Sequence, residues 1–172
     1  MMNTSPTTMG RHGPGAMDTS FWNVAFQAGA VGYALLLHEL HAPSAIETEI
    51  NSAPPPRQRP KAALFNAMRE TGAIRITDPV RVTVDLYGPG DRATLSLARE
   101  RGWPALINDA RPHAYARLQL TLTAVSVPDL LVLAVYEGWL LKDEALRMLQ
   151  RIAPVTGATL MQAATLAISR YP

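Results

Sequence analysis

Four acidic residues have local settings that suit chemistry. Asp18 opens the first helical stretch, in MDTSFWN. Glu49 lies near the end of a short helix, in PSAIETEIN. Asp91 follows a glycine turn and opens a helix, in GPGDRATLSLA. Asp109 ends a short apolar strand, in ALINDARP. Taken singly, Asp18, Asp91 and Asp109 read as helix caps, because aspartate is favoured just before a helix. Glu49 does not fit that reading, since a carboxylate near a helix C-terminus opposes the dipole. Taken together, the four suggest a site. In a parallel α/β sheet, strand ends and the helix starts behind them converge on one edge, where ligands bind. Four carboxylates cannot share a pocket while all are ionised and unpaired, so protons or a cation must neutralise some of them. Oxygen-only donors select hard ions, Mg²⁺ or Mn²⁺. Two such ions about 3.5–4 Å apart activate water and steady the leaving oxygen in phosphodiester cleavage.

The elements that would position these acids can be read along the chain. From Ser20 the pattern is helical, with Phe21, Val24, Ala25 and Ala28 at helical spacing and Leu35 to Leu37 continuing the apolar face. His41-Ala42-Pro43 breaks it. Ser44 and Glu47 form a capping-box pattern for a helix carrying Ile46, Glu49 and Ile50. Pro54 to Pro60 reads as an exposed loop and Lys61 to Glu70 as a helix ended by Gly72. Ile74, Ile76 and Val80 to Val84 suggest short strands. Gly88-Pro89-Gly90 is a turn, and Asp91 to Arg101 a helix stopped by Gly102. Ala105 to Ile107 is a buried strand, Pro112 to Leu118 a helix and Leu122 to Val127 a strand. Pro128 suits the first turn of the helix Asp129 to Glu137, which Gly138 ends. Helices over Lys142 to Ile152 and Gly157 to Ser169 close the chain. Strands alternating with helices predict a three-layer α/β/α fold with a short parallel sheet and a helical C-terminal extension.

Composition narrows the classes. The 172 residues suit one domain with a full core. The chain has no cysteine, which excludes a disulfide framework, thiolate ligands and a cysteine nucleophile. The net charge is only +2, which is not the footprint of a dedicated duplex-DNA binder. Of the 16 basic residues only Lys61 and Lys142 are lysine; the arginines suit bidentate phosphate contacts but equally reflect genomic base composition. The apolar stretch Val24 to Leu37 is too short to span a bilayer and reads as a buried helix. Residues 1–16 lack a signal-peptide pattern and read as a disordered tail, or as an over-extended start with Met17 as initiator. The four histidines show no common ligand spacing; His38 and His41, three apart at a helix end, could bind metal but read rather as solvated residues or partners of the helix C-terminal dipole. Gly88 to Gly90 lacks the Gly-Lys-Ser/Thr of a phosphate loop. Trp22, Trp103 and Trp139 read as core or interface residues. Arg92, Arg111 and Arg117 lie near the acids in sequence and are as readily surface residues as phosphate contacts.

These motifs resemble those of the PIN-domain family, the ribonuclease fold of many prokaryotic toxin–antitoxin toxins. The family opens with an aspartate followed by Thr/Ser and Ser/Asn, matched by Asp18-Thr19-Ser20. A glutamate closes a short helix after a proline, as in Pro43 to Glu49. A glycine turn delivers an acid ahead of an alanine-rich helix, as in Gly88 to Ala98, and a strand ends in Asn/Asp-Asp, as in Leu106 to Asp109. Val127 to Leu131 and Glu137-Gly138 are similar to a subgroup with a C-terminal helical extension. The resemblance runs from about Met17 to Arg170. The chain departs from the pattern before Asp18, where the family has an apolar strand and this sequence has glycine-rich Gly10 to Met17 with Pro14.

The resemblance implies that Asp18, Glu49, Asp91 and Asp109 are the catalytic, metal-binding acids, holding Mg²⁺ or Mn²⁺. It implies that Ser20 orients Asp18 or touches a phosphate. Asn108, Arg92 and Arg111 are the accompanying substrate-binding candidates. The expected organisation is a tail at 1–16, a PIN-like domain at 17–137 and a helical extension at 138–172, packed on the domain or on a dimer partner. The expected function is metal-dependent endoribonuclease action on single-stranded RNA, in a cytoplasmic homodimer silenced by an antitoxin. The alternative is an inactive PIN-like module that binds RNA or a protein partner without cutting.

Overall fold

The computed structural model describes residues 12–52, 55–85 and 88–171. Its five strands are short and parallel: β1 (Pro14–Met17), β2 (Glu39–Ala42), β3 (Ile74–Ile76), β4 (Ala105–Leu106) and β5 (Ala124–Val125), in the order β3-β2-β1-β4-β5. The order reverses between β1 and β4. At such a switch point the connections leave toward opposite faces and open a crevice beyond the strands' C-terminal ends.

Side chains on successive strand residues point to opposite faces. Met17 and Leu106 accordingly enter the larger core, under α1 (Thr19–Ala28), α2 (Val31–Leu37), α3 (Ser44–Asn51), α4 (Arg59–Glu70), α7 (Val127–Tyr136), α8 (Lys142–Ile152) and α9 (Ala158–Arg170). Ala16, Ala105 and Ile107 enter a smaller core under α5 (Pro89–Arg101) and α6 (Ala110–Leu118). This is the expected three-layer α/β/α arrangement. The C-terminal helices belong to the larger core rather than to an appendage. Met148, Leu149, Ile152 and Ile168 lie buried within it, with α8 against α1 and α9 against α7.

The structure departs from the sequence reading at several places. Pro14, Gly15 and Ala16, read as tail, form most of the central strand. A Cβ on Gly15 would lie 3.0 Å from Leu106 Cδ1, so the neighbouring strand's leucine needs this position bare. The stretch from Ser20 to Leu37 is two helices bent by 120° at Gly29-Ala30. Pro43, not Ser44, caps α3. Ser44 instead donates its N–H and hydroxyl to Asp78 (2.8 and 2.9 Å), and Glu47 pairs with Arg69 at 2.7 Å. Val80 to Val84 forms no strand, and β5 covers only two of the six residues read there. His38 and His41 are buried, not solvated. His41 Nδ1 shares a 2.8 Å hydrogen bond with Thr77 Oγ1, and burial lowers the His38 pKa to about 4. Among the described residues no single helix is long and apolar enough to cross a membrane.

Candidate functional site

β1 ends at Met17, and its last N–H bond continues one residue further, from Asp18 N–H to the Leu106 carbonyl (3.1 Å). This places Asp18 at the switch point, where it caps α1. One carboxylate oxygen accepts the Phe21 N–H at 2.7 Å, and the Ser20 hydroxyl lies 2.9 and 2.8 Å from the two oxygens. The aspartate is both the cap and a pocket acid, so the two readings of it are compatible.

Ser20 carries more than its neighbour's orientation. Its Oγ accepts the N–H groups of Asn108 (3.0 Å) and Asp109 (3.1 Å) while its hydrogen points to Asp18. A serine hydroxyl has one donor hydrogen and two lone pairs. All three are spent, so Ser20 orients Asp18 and holds the end of β4, and it has nothing left for a phosphate.

Glu49 reaches the same place from α3. Its Oε2 accepts the Thr19 hydroxyl at 2.6 Å, and its Oε1 accepts the Gly90 N–H at 3.1 Å. Gly90 is in the first turn of α5, where free N–H groups and the helix dipole favour an anion. A Cβ there would sit 2.5 Å from Glu49 Oε1 and 2.7 Å from Ile46 Cδ1, so only glycine admits the carboxylate. Sequence spacing assigns Gly90 to a turn that delivers Asp91. Its closer task is to receive Glu49, and nothing in that spacing signals a contact 41 residues apart.

Asp91, next along α5, and Asp109, the residue before α6, complete the wall. Asp18, Glu49, Asp91 and Asp109 line one cavity of about 380 Å³, together with Thr19, Ser20, Asn23, Val24 and Val155. The electrostatics follow from burial and crowding. Asp18 is 2% exposed, and burial raises its pKa from 3.8 to about 8, with the charges of Asp91 and Asp109 adding to it. The hydrogen bonds from Phe21 and Ser20 pull the other way without offsetting this. The Asp91 pKa is raised too, first by burial and then by Glu49 and Asp109.

The other candidates separate. Arg111 lines an adjoining cavity of about 400 Å³ with Asp91, Asp109, Ala110 and Pro112. Arg92, although next to Asp91, lines neither cavity. Asn108 is 1% exposed and both ends of its amide are engaged: Oδ1 accepts the Val127 N–H (3.2 Å) and Nδ2 donates to Thr156 Oγ1 (3.2 Å). It ties the end of β4 to α7 and to the turn before α9, and is a brace rather than a substrate contact. Asn23 and Val155, which no motif signalled, stand in the cavity wall instead.

No protein-family model, no curated protein and no solved structure matches this chain. The chemistry of the site is therefore read from its own residues. A hard divalent cation fits the donor set, which is all oxygen, and fits the buried Asp18, whose ionised form lacks a counter-charge. As they stand the acids ring the cavity rather than closing on a point. Among the described residues, no group of three or more His, Asp or Glu side chains is arranged to hold a metal ion.

Proposed function

We propose that the protein is a metal-dependent endoribonuclease of the PIN type. The observation that carries this reading is the meeting of Asp18, Glu49, Asp91 and Asp109, from four separate elements, in one cavity at the sheet's switch point. Such an edge is where open α/β sheets bind ligands, and a crowd of acids there is neutralised by protons or by a cation.

In this reading the four acids hold Mg²⁺ or Mn²⁺. When bound, such ions would make an attacking water more acidic and would neutralise charge on the phosphate and the leaving oxygen. The chain's own residues prepare that chemistry. Ser20 fixes the Asp18 carboxylate against the end of β4, and Thr19 with the Gly90 N–H fixes Glu49. Asp18, whose burial favours its protonated form, would give up that proton on ligating a cation. Arg111, beside Asp91 and Asp109, lies within reach of a neighbouring phosphate of the strand. In the hydrolysis, water oxygen would bond to phosphorus as the bond to the 3′-oxygen breaks, and a water proton would end on that oxygen, leaving a 5′-phosphate on the other fragment. The same reading carries a cytoplasmic location, an antitoxin partner and a homodimer.

The test is cleavage of labelled single-stranded RNA with Mg²⁺ or Mn²⁺. The expected result is cutting by the wild type, none with EDTA, and none by folded Asp18→Asn or Asp91→Asn. If nothing is cut with either metal, the protein is a binding module and not a nuclease; if both variants cut like the wild type, the four acids are not its catalytic site.

A further inference from the structure

The acids occupy only part of the cleft. Two lobes meet at Asp91 and Asp109. One runs past Asp18 and Glu49 to Asn23, Val24 and Val155, and the other past Ala110 to Arg111 and Pro112. A strand lying across the acids therefore has room on both sides of the cut, which suits an internal phosphodiester.

The first lobe has a wall that the acids do not explain. Asn23 lies one helical turn beyond Thr19 on α1, on the same face. The other polar residues of that face are committed, Thr19 to Glu49 and Ser20 to Asp18 and two N–H groups. The half-buried Asn23 amide is held by no described residue. It offers two donor hydrogens and an acceptor oxygen from a rigid helix.

Val155 reaches the same lobe from the far end of the chain. It ends the 3₁₀ turn Ala153–Val155 between α8 and α9, and the next residue, Thr156, is tied to Asn108. It is 49% exposed, an apolar side chain on the rim of an acidic cavity. Such a contact suits the face of a base and not a phosphate or an ion.

We propose that Asn23 and Val155 form the recognition wall for the nucleoside on one side of the cleaved phosphate, with Val155 packed on the base and the Asn23 amide hydrogen-bonded to its edge. The inference rests on the nuclease reading above and gives it a substrate class: single-stranded RNA with that base turned out of the stack, where its edge is free to be read. The C-terminal helices then serve the site as well as the core.

The experiment uses the full chain and RNA oligonucleotides that differ only in the base beside the cut. Wild type, Asn23→Ala, Val155→Ala and Asn23→Gln are compared for kcat/KM on each base and for stabilisation by Mn²⁺. The wild type should distinguish its best from its worst base by about tenfold or more, as a hydrogen-bonding site does. Asn23→Ala and Val155→Ala should flatten that ratio to about threefold or less and act mainly on KM. Asn23→Gln should recover part of it, and stabilisation by Mn²⁺ should match the wild type in every variant. Cutting with no base preference, or an unchanged preference in both alanine variants, overturns the recognition wall and leaves the nuclease reading intact. Failure of the wild type to cut any RNA overturns the nuclease reading, and the wall falls with it.

Discussion

Asp18 sets the residue-scale behaviour of the site. Its folded-state pKa is about 8 against 3.8 in the unfolded chain. Between those values the folded protein holds a proton that the unfolded chain lacks, so this group's contribution to stability is full below about pH 4 and is lost as pH rises toward 8. An asparagine in its place would keep the Phe21 cap and cannot ionise. Asp18→Asn should therefore be near-neutral at pH 4.5 and stabilising at pH 8, by roughly 2 kcal/mol or about 5 °C in Tm. Melting curves of both proteins across that range check it, and a gap that does not widen with pH would mean that Asp18 is ordinarily ionised. Gly90 gives a second residue-scale prediction. Gly90→Ala forces Glu49 away from the α5 N-terminus. The variant should stay folded, because alanine suits a helix better than glycine, yet lose about tenfold or more in RNA cleavage. Cleavage assays beside a melting curve separate the two effects.

At the scale of elements, the sequence carried more of the helices than of the strands. α8 was legible to the residue, because its apolar positions Ala145, Met148, Leu149 and Ile152 repeat at helical spacing. β1 was not legible, because its small residues are chosen by the neighbour they meet, Leu106 against Gly15, and not by strand propensity. The acids were found from their local settings, since each stands at or near a helix terminus. The role of Gly90 was hidden because Glu49 lies 41 residues away, and Asn23 and Val155 because only the folded chain brings them to one cavity. Asn108 was legible as a polar residue beside an acid, but its amide points into the brace rather than the cleft. Asn108→Ala should leave the buried Val127 N–H unpaired and cost about 2 kcal/mol, read as a lower urea midpoint with an unchanged slope.

The whole molecule depends on both ends of the chain. A chain started at Met17 lacks three residues of β1, the strand that pairs with both β2 and β4. A chain stopped at Glu137 lacks α8 and α9 and uncovers the face of α1 and α7 that they pack against. Each truncation should lose cooperative unfolding, seen as lost near-ultraviolet dichroism and a broad thermal transition. A cooperative, monomeric 1–137 fragment would show instead that the extension is a separable unit.

The four acids are proposed to form a cation site poised for phosphodiester cleavage. The most direct measurement of that site is a calorimetric titration of Mn²⁺ into the wild type and Asp18→Asn at pH 7, in two buffers of different ionisation enthalpy. Saturable binding to the wild type is expected, with release of close to one proton, since ligands must be deprotonated to bind. Asp18→Asn should bind more weakly and show no such release. No binding to the wild type, or equal binding and proton release in both proteins, would contradict the cation site.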